Sequence, residues 1–235
     1  MKKIFSYNAD IEKNAYLNWR TQYYNHIHNM FVIAEGFSDA ALLLIDAVLT
    51  DNRDKKADNI IFPILFNSNH GIEVYLKAIC WTQNQLLNTN NTFKENHNLR
   101  ELLKEVIKLE ELNKDSSDDI MIFYEMLADL NSYIEELYEK IERTTIKKGN
   151  EKKFFDISFC RYPLTNQTLE PQFYINTFDN VVIDLENFLK IFKGIFKNLR
   201  ALSMHYSAKL EAKQEAEYEL RKMNEEMQAE FQNDY

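Results

Sequence analysis

From Tyr16 onward, apolar residues recur at Trp19, Tyr23, Ile27, Met30, Ala34, Phe37, Ala41, Leu44 and Val48, in unbroken steps of three and four. That spacing predicts one long amphipathic helix, capped by Asn8 or Asp10 and stopped by the polar cluster Thr50-Asp51-Asn52-Arg53-Asp54. Gly36 within it costs about 1 kcal/mol relative to Ala, and a close helix crossing there would account for it. A second helix is expected to open near Ile61, with Pro63 in its first turn, and to continue through Ile64, Leu65, His70, Glu73, Leu76 and Ile79 to about Leu87. Apolar residues cover most of its circumference, which places it at the centre of a bundle. Leu99-x-x-Leu102-Leu103-x-x-Val106-Ile107 marks a third helix, and Ser116-Ser117-Asp118-Asp119 the capped start of a fourth that reaches about Arg143.

Residues 144–178 break the period. A polar and basic run, Thr144 to Lys153, is followed by the aromatic and β-branched runs Phe154-Phe155-Asp156-Ile157-Ser158-Phe159 and Phe173-Tyr174-Ile175, interleaved with Pro163 and Pro171. A small irregular, β-hairpin-like insertion is expected. From Asp179 the helical period returns through Leu185, Phe188, Phe192, Ile195, Leu199, Leu202, Tyr206 and Leu210. A charged amphipathic tail then carries Leu220, Met223, Met227 and Phe231 on one face. The fold class is therefore all-α, with residues 1–210 forming a helical bundle and 211–235 a charged helical extension. That extension is either solvated or a partner-binding arm.

Composition removes several function classes. Lys and Arg number 28 against 37 Asp and Glu, a formal charge of −9, which excludes a uniformly basic nucleic-acid-binding surface but not a local basic stripe. With glycine only at positions 36, 71, 149 and 194, neither a dinucleotide-binding nor a Walker-type loop can be written. Cys80 and Cys160 lie far apart and read as reduced thiols. The segment Met1 to Tyr7 meets Asn8, Asp10 and Glu12 before any apolar stretch develops, so no export signal is expected. The most apolar run, Ala40 to Leu49, is interrupted by Asp46 and falls short of the ~20 residues needed to span a bilayer. A cytoplasmic protein without membrane association is the expectation.

Candidate chemistry concentrates in the last long helix. Arg200-Ala201-Leu202-Ser203-Met204-His205 places an arginine and a histidine ~140° apart around the helix and ~7.5 Å along it. The face between them holds Lys197, Ala201, Met204 and Ala208, where a solvated helix would carry polar residues. This mismatch predicts a second packing surface, most simply against its own copy across a two-fold axis, bringing two Arg/His pairs into one cleft. Lys190, Lys193 and Lys197 lead up to Arg200 as a basic stripe suited to phosphates, or as an ordinary solvated face. Ser203 is expected either to orient Arg200 or to bond a carbonyl of the preceding turn.

On these residues the chain resembles the HEPN superfamily, many of whose members are metal-independent ribonucleases. The Arg200-x4-His205 spacing matches that family's Arg-x4-6-His motif, and His70-Gly71-Ile72-Glu73-Val74-Tyr75-Leu76-Lys77-Ala78 is similar to the apolar helix of prokaryotic members. Asn96-His97-Asn98-Leu99-x-x-Leu102-Leu103 resembles the helix start that follows, and Arg161-Tyr162-Pro163 a loop element of related proteins. Two departures accompany the match: Ala201 stands where a polar residue commonly follows the Arg, and Tyr206 follows His205 without a spacer.

The resemblance implies a HEPN-like bundle, dimeric through the helix carrying Arg200 and His205, that cleaves RNA as a toxin or antiphage effector under a cognate inhibitor or activator protein. In that reading His205 does acid–base work, Arg200 holds the scissile phosphate, and Lys197, Lys193, Ser203 and Tyr206 contact substrate, with no metal or cofactor. The chemistry is consistent with the residues: a histidine with a reference pKa of ~6.5 exchanges protons near neutrality, and an arginine stabilises a phosphorane. Attack by the ribose 2′-hydroxyl would leave a 2′,3′-cyclic phosphate. The alternative is a non-catalytic helical module binding nucleotide, RNA or a protein.

Other polar residues have plainer readings. His26 and His28 are ~200° apart on a helix and cannot share a metal. Glu73 has the spacing and order for an ion pair with Lys77, while His97 and Asn98 are most simply a helix start.

Overall fold

The computed structural model describes residues 3–113, 117–141, 143–147, 150–154, 157–162 and 181–233. Among these residues five α-helices, α1 (His26–Thr50), α2 (Lys56–Leu86), α3 (Leu99–Leu112), α4 (Ser117–Ile141) and α5 (Leu185–Asn233), make an all-α bundle. One hairpin interrupts it, strands β1 (Arg143–Lys147) and β2 (Asn150–Phe154).

Helix α1 begins at His26, well after the residues expected to start it. Asn25 caps it by accepting from the His28 N–H at 3.0 Å, and Asn29 ties Gln22 down through both backbone groups, at 2.7 and 2.8 Å. These bonds commit Gln22 to a turn, and the preceding Trp19 and the adjoining Tyr23 are exposed rather than packed. Asp10 does cap, but only the single 3₁₀ turn Ile11–Lys13. The predicted stop holds, since Thr50 is the last helical residue and Asp51 the C-cap.

Helix α2 also starts earlier than expected, at Lys56, so Pro63 lies inside it rather than in its first turn. Pro63 is exposed, which leaves the carbonyl it cannot bond free to meet water. Asp54 and Lys55 both take left-handed conformations in the turn before it (φ 59° and 54°), and the Asn52 side chain there accepts from the Ala57 N–H at 2.8 Å. As its all-round apolar pattern required, α2 is central, packing on α1, α3 and α5. The close crossing lies not at Gly36, which is exposed with open space around it, but at Gly71. There a Cβ would come within 3.1 Å of the Ser38 hydroxyl, and the small residues Ala34, Ser38 and Ala41 on α1 let the two backbones approach.

Asn98 caps α3 by accepting from the Glu101 N–H, and the buried Tyr138 hydroxyl of α4 accepts from the Leu99 N–H at 2.8 Å, locking the start of α3 to α4. The hairpin pairs Thr145 with Lys152 and Arg143 with Phe154, so the polar stretch forms the ladder. Its β-branched Thr144-Thr145-Ile146 supplies the strand propensity. Phe155, Asp156 and the segment 163–180, including Phe173-Tyr174-Ile175, lie outside the described residues. A 3₁₀ turn, Ile157–Cys160, buries Phe159 and Cys160 and packs on α2.

Helix α5 is continuous for 49 residues, ~74 Å at 1.5 Å per residue. Asp184 caps it by accepting from the Asn187 N–H at 3.0 Å. Phe188, Phe192, Ile195, Phe196, Leu199, Leu202 and Tyr206 bury against α2 and α4. Past Leu210 the contacts thin out. Lys213 reaches back to the end of α2, donating to the Gln85 and Leu86 carbonyls at 2.7 and 2.9 Å and so satisfying acceptors that a helix terminus leaves open. Beyond it Tyr218, Leu220, Met223 and Met227 are exposed. Among the described residues no helix is long and apolar enough to cross a membrane.

Candidate functional site

The period of α5 sets the positions of its polar residues. Leu199, Leu202 and Tyr206 point inward, so Arg200 and His205 emerge on opposite flanks of the face formed by Lys197, Ala201, Met204 and Ala208, all four exposed. Within one chain the two do not meet. Arg200 lines a groove of about 330 Å³ between α5 and α1, together with His28, Phe31, Glu35 and Met204. His205 is exposed on the other side, in a groove of about 260 Å³ against α4 lined by Ile122, Phe123, Met126 and Lys209.

Arg200 is held by partners that sequence reasoning missed. Its Nε lies 2.9 Å from Glu35 Oε1 and its Nη2 3.3 Å from Asp39 Oδ1. Burial acts to lower its pKa, but Glu35, the Tyr75 hydroxyl and Asp39 together outweigh that and raise it. The arginine stays charged and is oriented by α1. Burial likewise raises the pKa of Tyr75, against the pull of the adjacent guanidinium. The available signal was the four-residue spacing of Glu35 and Asp39, which puts both carboxylates on one face of α1, although nothing local indicated which cation would meet them.

The remaining candidates divide. Lys197 and Lys190 are exposed, whereas Lys193 sits 3.7 Å from Asp46, another α1 carboxylate, so the basic stripe partly faces an acidic helix. Ser203 and Tyr206, expected as substrate contacts, are both buried, Ser203 at the edge of the Arg200 groove and Tyr206 at the floor of the His205 groove. Ser203 donates to the Leu199 carbonyl at 2.7 Å, the backbone alternative. Tyr206 is fully buried because it falls on the core stripe. It donates to Glu110 and accepts from Gln83 Nε2 at 3.1 Å, and burial followed by the Glu110 contact drives its pKa upward.

The residues read as an ordinary ion pair and a helix start come together in a second polar cluster. Glu73 is buried on α2, and its Oε1 lies 2.8 Å from Lys77 Nζ and 2.9 Å from His97 Nδ1, while His70 Nδ1 is 4.0 Å from Oε2. Arg161 completes the cluster with its guanidinium over the Phe66 ring. His26 stacks on Trp81 and His28 Nε2 contacts the Arg20 carbonyl, so the two are separately engaged. Among the described residues no group of three His, Cys, Asp or Glu side chains is placed to hold a metal ion. No family model, curated protein or solved structure matches the chain.

Proposed function

We propose that the protein is a HEPN-type, metal-independent endoribonuclease that works in the cytoplasm as a homodimer assembled on α5, as a toxin or antiphage effector governed by an inhibitor or activator protein. The observation that carries this reading is the exposed, largely apolar face of Ala201, Met204 and Ala208, flanked on one side by a charged, oriented arginine and on the other by an exposed histidine. Two such faces packed across a two-fold axis bring the Arg200 of one copy toward the His205 of the other, which a single chain keeps on opposite flanks.

In that cleft the neutral imidazole of His205 takes the proton of a ribose 2′-hydroxyl, whose oxygen attacks the adjacent phosphorus. The 5′-oxygen leaves and receives a proton from the imidazolium of the second copy, giving a 2′,3′-cyclic phosphate and a 5′-hydroxyl. General acid–base catalysis of this kind contributes roughly 10²–10⁴-fold. Arg200 stabilises the charge on the non-bridging oxygens. Its contacts with Glu35, Asp39 and Tyr75 leave part of its five-donor fork for the phosphate. Lys197 and Lys193 follow the backbone on either side.

The same two carboxylates favour a second reading, a non-catalytic module binding nucleotide, RNA or protein, in which Arg200 is a strut between α1 and α5. The two separate by experiment. Wild type, Arg200→Ala and His205→Ala are incubated with total RNA and tRNA in excess EDTA, fragment ends are analysed, and sedimentation gives the oligomeric state. The ribonuclease reading expects a dimer and wild-type cleavage ending in cyclic phosphate, lost in both variants. A monomer, no cleavage by wild type, or equal cleavage by all three overturns it.

A further inference from the structure

The cluster around Glu73 shares no lining residue with the Arg200 groove and belongs to none of the chemistry above. It borders a cleft of about 40 Å³ whose walls include Phe66, Asn69, His70, His97 and Arg161. Counting donors and acceptors defines what the cleft can take. Glu73 is the anion present, and Lys77 and His97 already engage it at 2.8 and 2.9 Å, so its charge is balanced. Asn69 is 2% exposed, and its Oδ1 accepts from the Tyr133 hydroxyl at 2.6 Å, but its Nδ2 has no hydrogen-bond partner.

A buried amide donor left unpaired costs about 1–3 kcal/mol, a penalty that a ligand acceptor would remove. The cleft also holds a cation, Arg161. Arg161 forms no ion pair among the described residues, contacting instead the faces of Phe66 and Tyr162. His97 uses Nδ1 on Glu73, which leaves its Nε2 edge exposed.

The geometry points to a second binding site here, for a phosphate-class oxyanion held by Arg161, Asn69 Nδ2 and His97. A balanced Glu73–Lys77 pair plus the Arg161 charge leaves the cleft net positive, and its buried, unpartnered side-chain amide, Asn69 Nδ2, is a donor. Arginine's fork matches two oxygens of a phosphate, while the recessed amide meets a third. Size gives the second constraint. At about 10–15 Å³ per water-sized group, the cleft admits about three such groups, which fits a phosphoryl head but not a nucleobase. A nucleotide would therefore enter phosphate first, with its base outside. The short turn Ile157–Cys160, anchored by buried Phe159, is what carries Arg161 to this position.

The test titrates the full chain with inorganic phosphate in phosphate-free buffer, at ionic strength held with chloride, while NMR follows the His70 and His97 imidazole resonances. Saturable shifts are expected, with a Kd in the millimolar range for so few contacts. Arg161→Ala, at an exposed position, should weaken binding at least about tenfold, and Arg161→Lys less, whereas Arg200→Ala should leave it unchanged. Adenosine 5′-monophosphate forms a parallel arm. Tighter, Arg161-dependent binding assigns the site to a nucleotide's terminal phosphate, and equal binding assigns it to phosphate itself. Absence of saturable shifts, or shifts that survive Arg161→Ala and vanish in Arg200→Ala, overturns the proposal without touching the ribonuclease reading.

Discussion

The Glu73–Lys77 pair has the spacing of a surface helix ion pair, and burial changes what it is worth. Exposed pairs of this kind contribute about 0.3–0.5 kcal/mol. Here the side chains are 6% and 11% exposed with 2.8 Å between the charged atoms, so removing one partner strands a desolvated charge, a loss of about 3–5 kcal/mol. The environment ranks the two single variants. Lys77→Met leaves Glu73 its His97 contact at 2.9 Å, which puts its loss near the lower bound. Among the described residues Glu73→Leu leaves the Lys77 ammonium with only the Phe93 ring at 5.6 Å and should approach the upper bound. The double variant Glu73→Leu/Lys77→Met replaces both charges with apolar groups of similar size and should recover most of the loss. Urea unfolding of the four proteins gives the cycle. Single losses under about 0.5 kcal/mol, or a double loss equal to the sum of the singles within about 0.5 kcal/mol, would refute the argument.

Other expectations follow from particular contacts. Gly36→Ala should raise the melting temperature through a helix-propensity gain of up to about 1 kcal/mol, whereas Gly71→Ala should not raise it, since its Cβ meets Ser38 Oγ at 3.1 Å and overpacking of about 1–3 kcal/mol cancels or exceeds the same gain. Thermal scans that move both variants the same way would show the α1–α2 crossing to be looser than described. Burial holds the His70 pKa below the ordinary histidine value, against the pull of Glu73. The unfolded chain therefore binds the proton first, so the stability due to neutral His70 is complete above about pH 6.5 and fades as pH falls below it. Unfolding at pH 7 and pH 5 should show a smaller acid loss for His70→Gln than for wild type, and equal losses would contradict that sign. Burial also pushes the Cys80 thiol up to about 12, so a disulfide reagent at pH 8 should label it only as fast as the chain opens. Labelling that is rapid and independent of denaturant would count against it.

What the sequence alone determined is what depends on short range. The steps of three and four defined five helical segments, the all-round apolar pattern of residues 61–87 made α2 central, and Asn98 marked the start of α3 because a cap bonds N–H groups two or three positions away. Local hydrogen bonds also explain the failures. The period through Trp19 and Tyr23 is helical, but the Asn29 side chain on the Gln22 backbone and the Asn25 side chain on the His28 N–H turned the chain away from helix.

Only the tertiary structure decided which glycine sits at a crossing, because Gly36 and Gly71 look alike until α1 is laid on α2. It also chose the partners. Arg200 meets Asp39 from 161 residues away, Tyr206 turns inward to Glu110 and Gln83, and His97 turns from a helix start into a Glu73 ligand. Periodicity fixes the angle at which a side chain leaves its own helix. What stands at the end of that side chain depends on how other helices pack, and their registry is set by the whole core rather than by any local stretch.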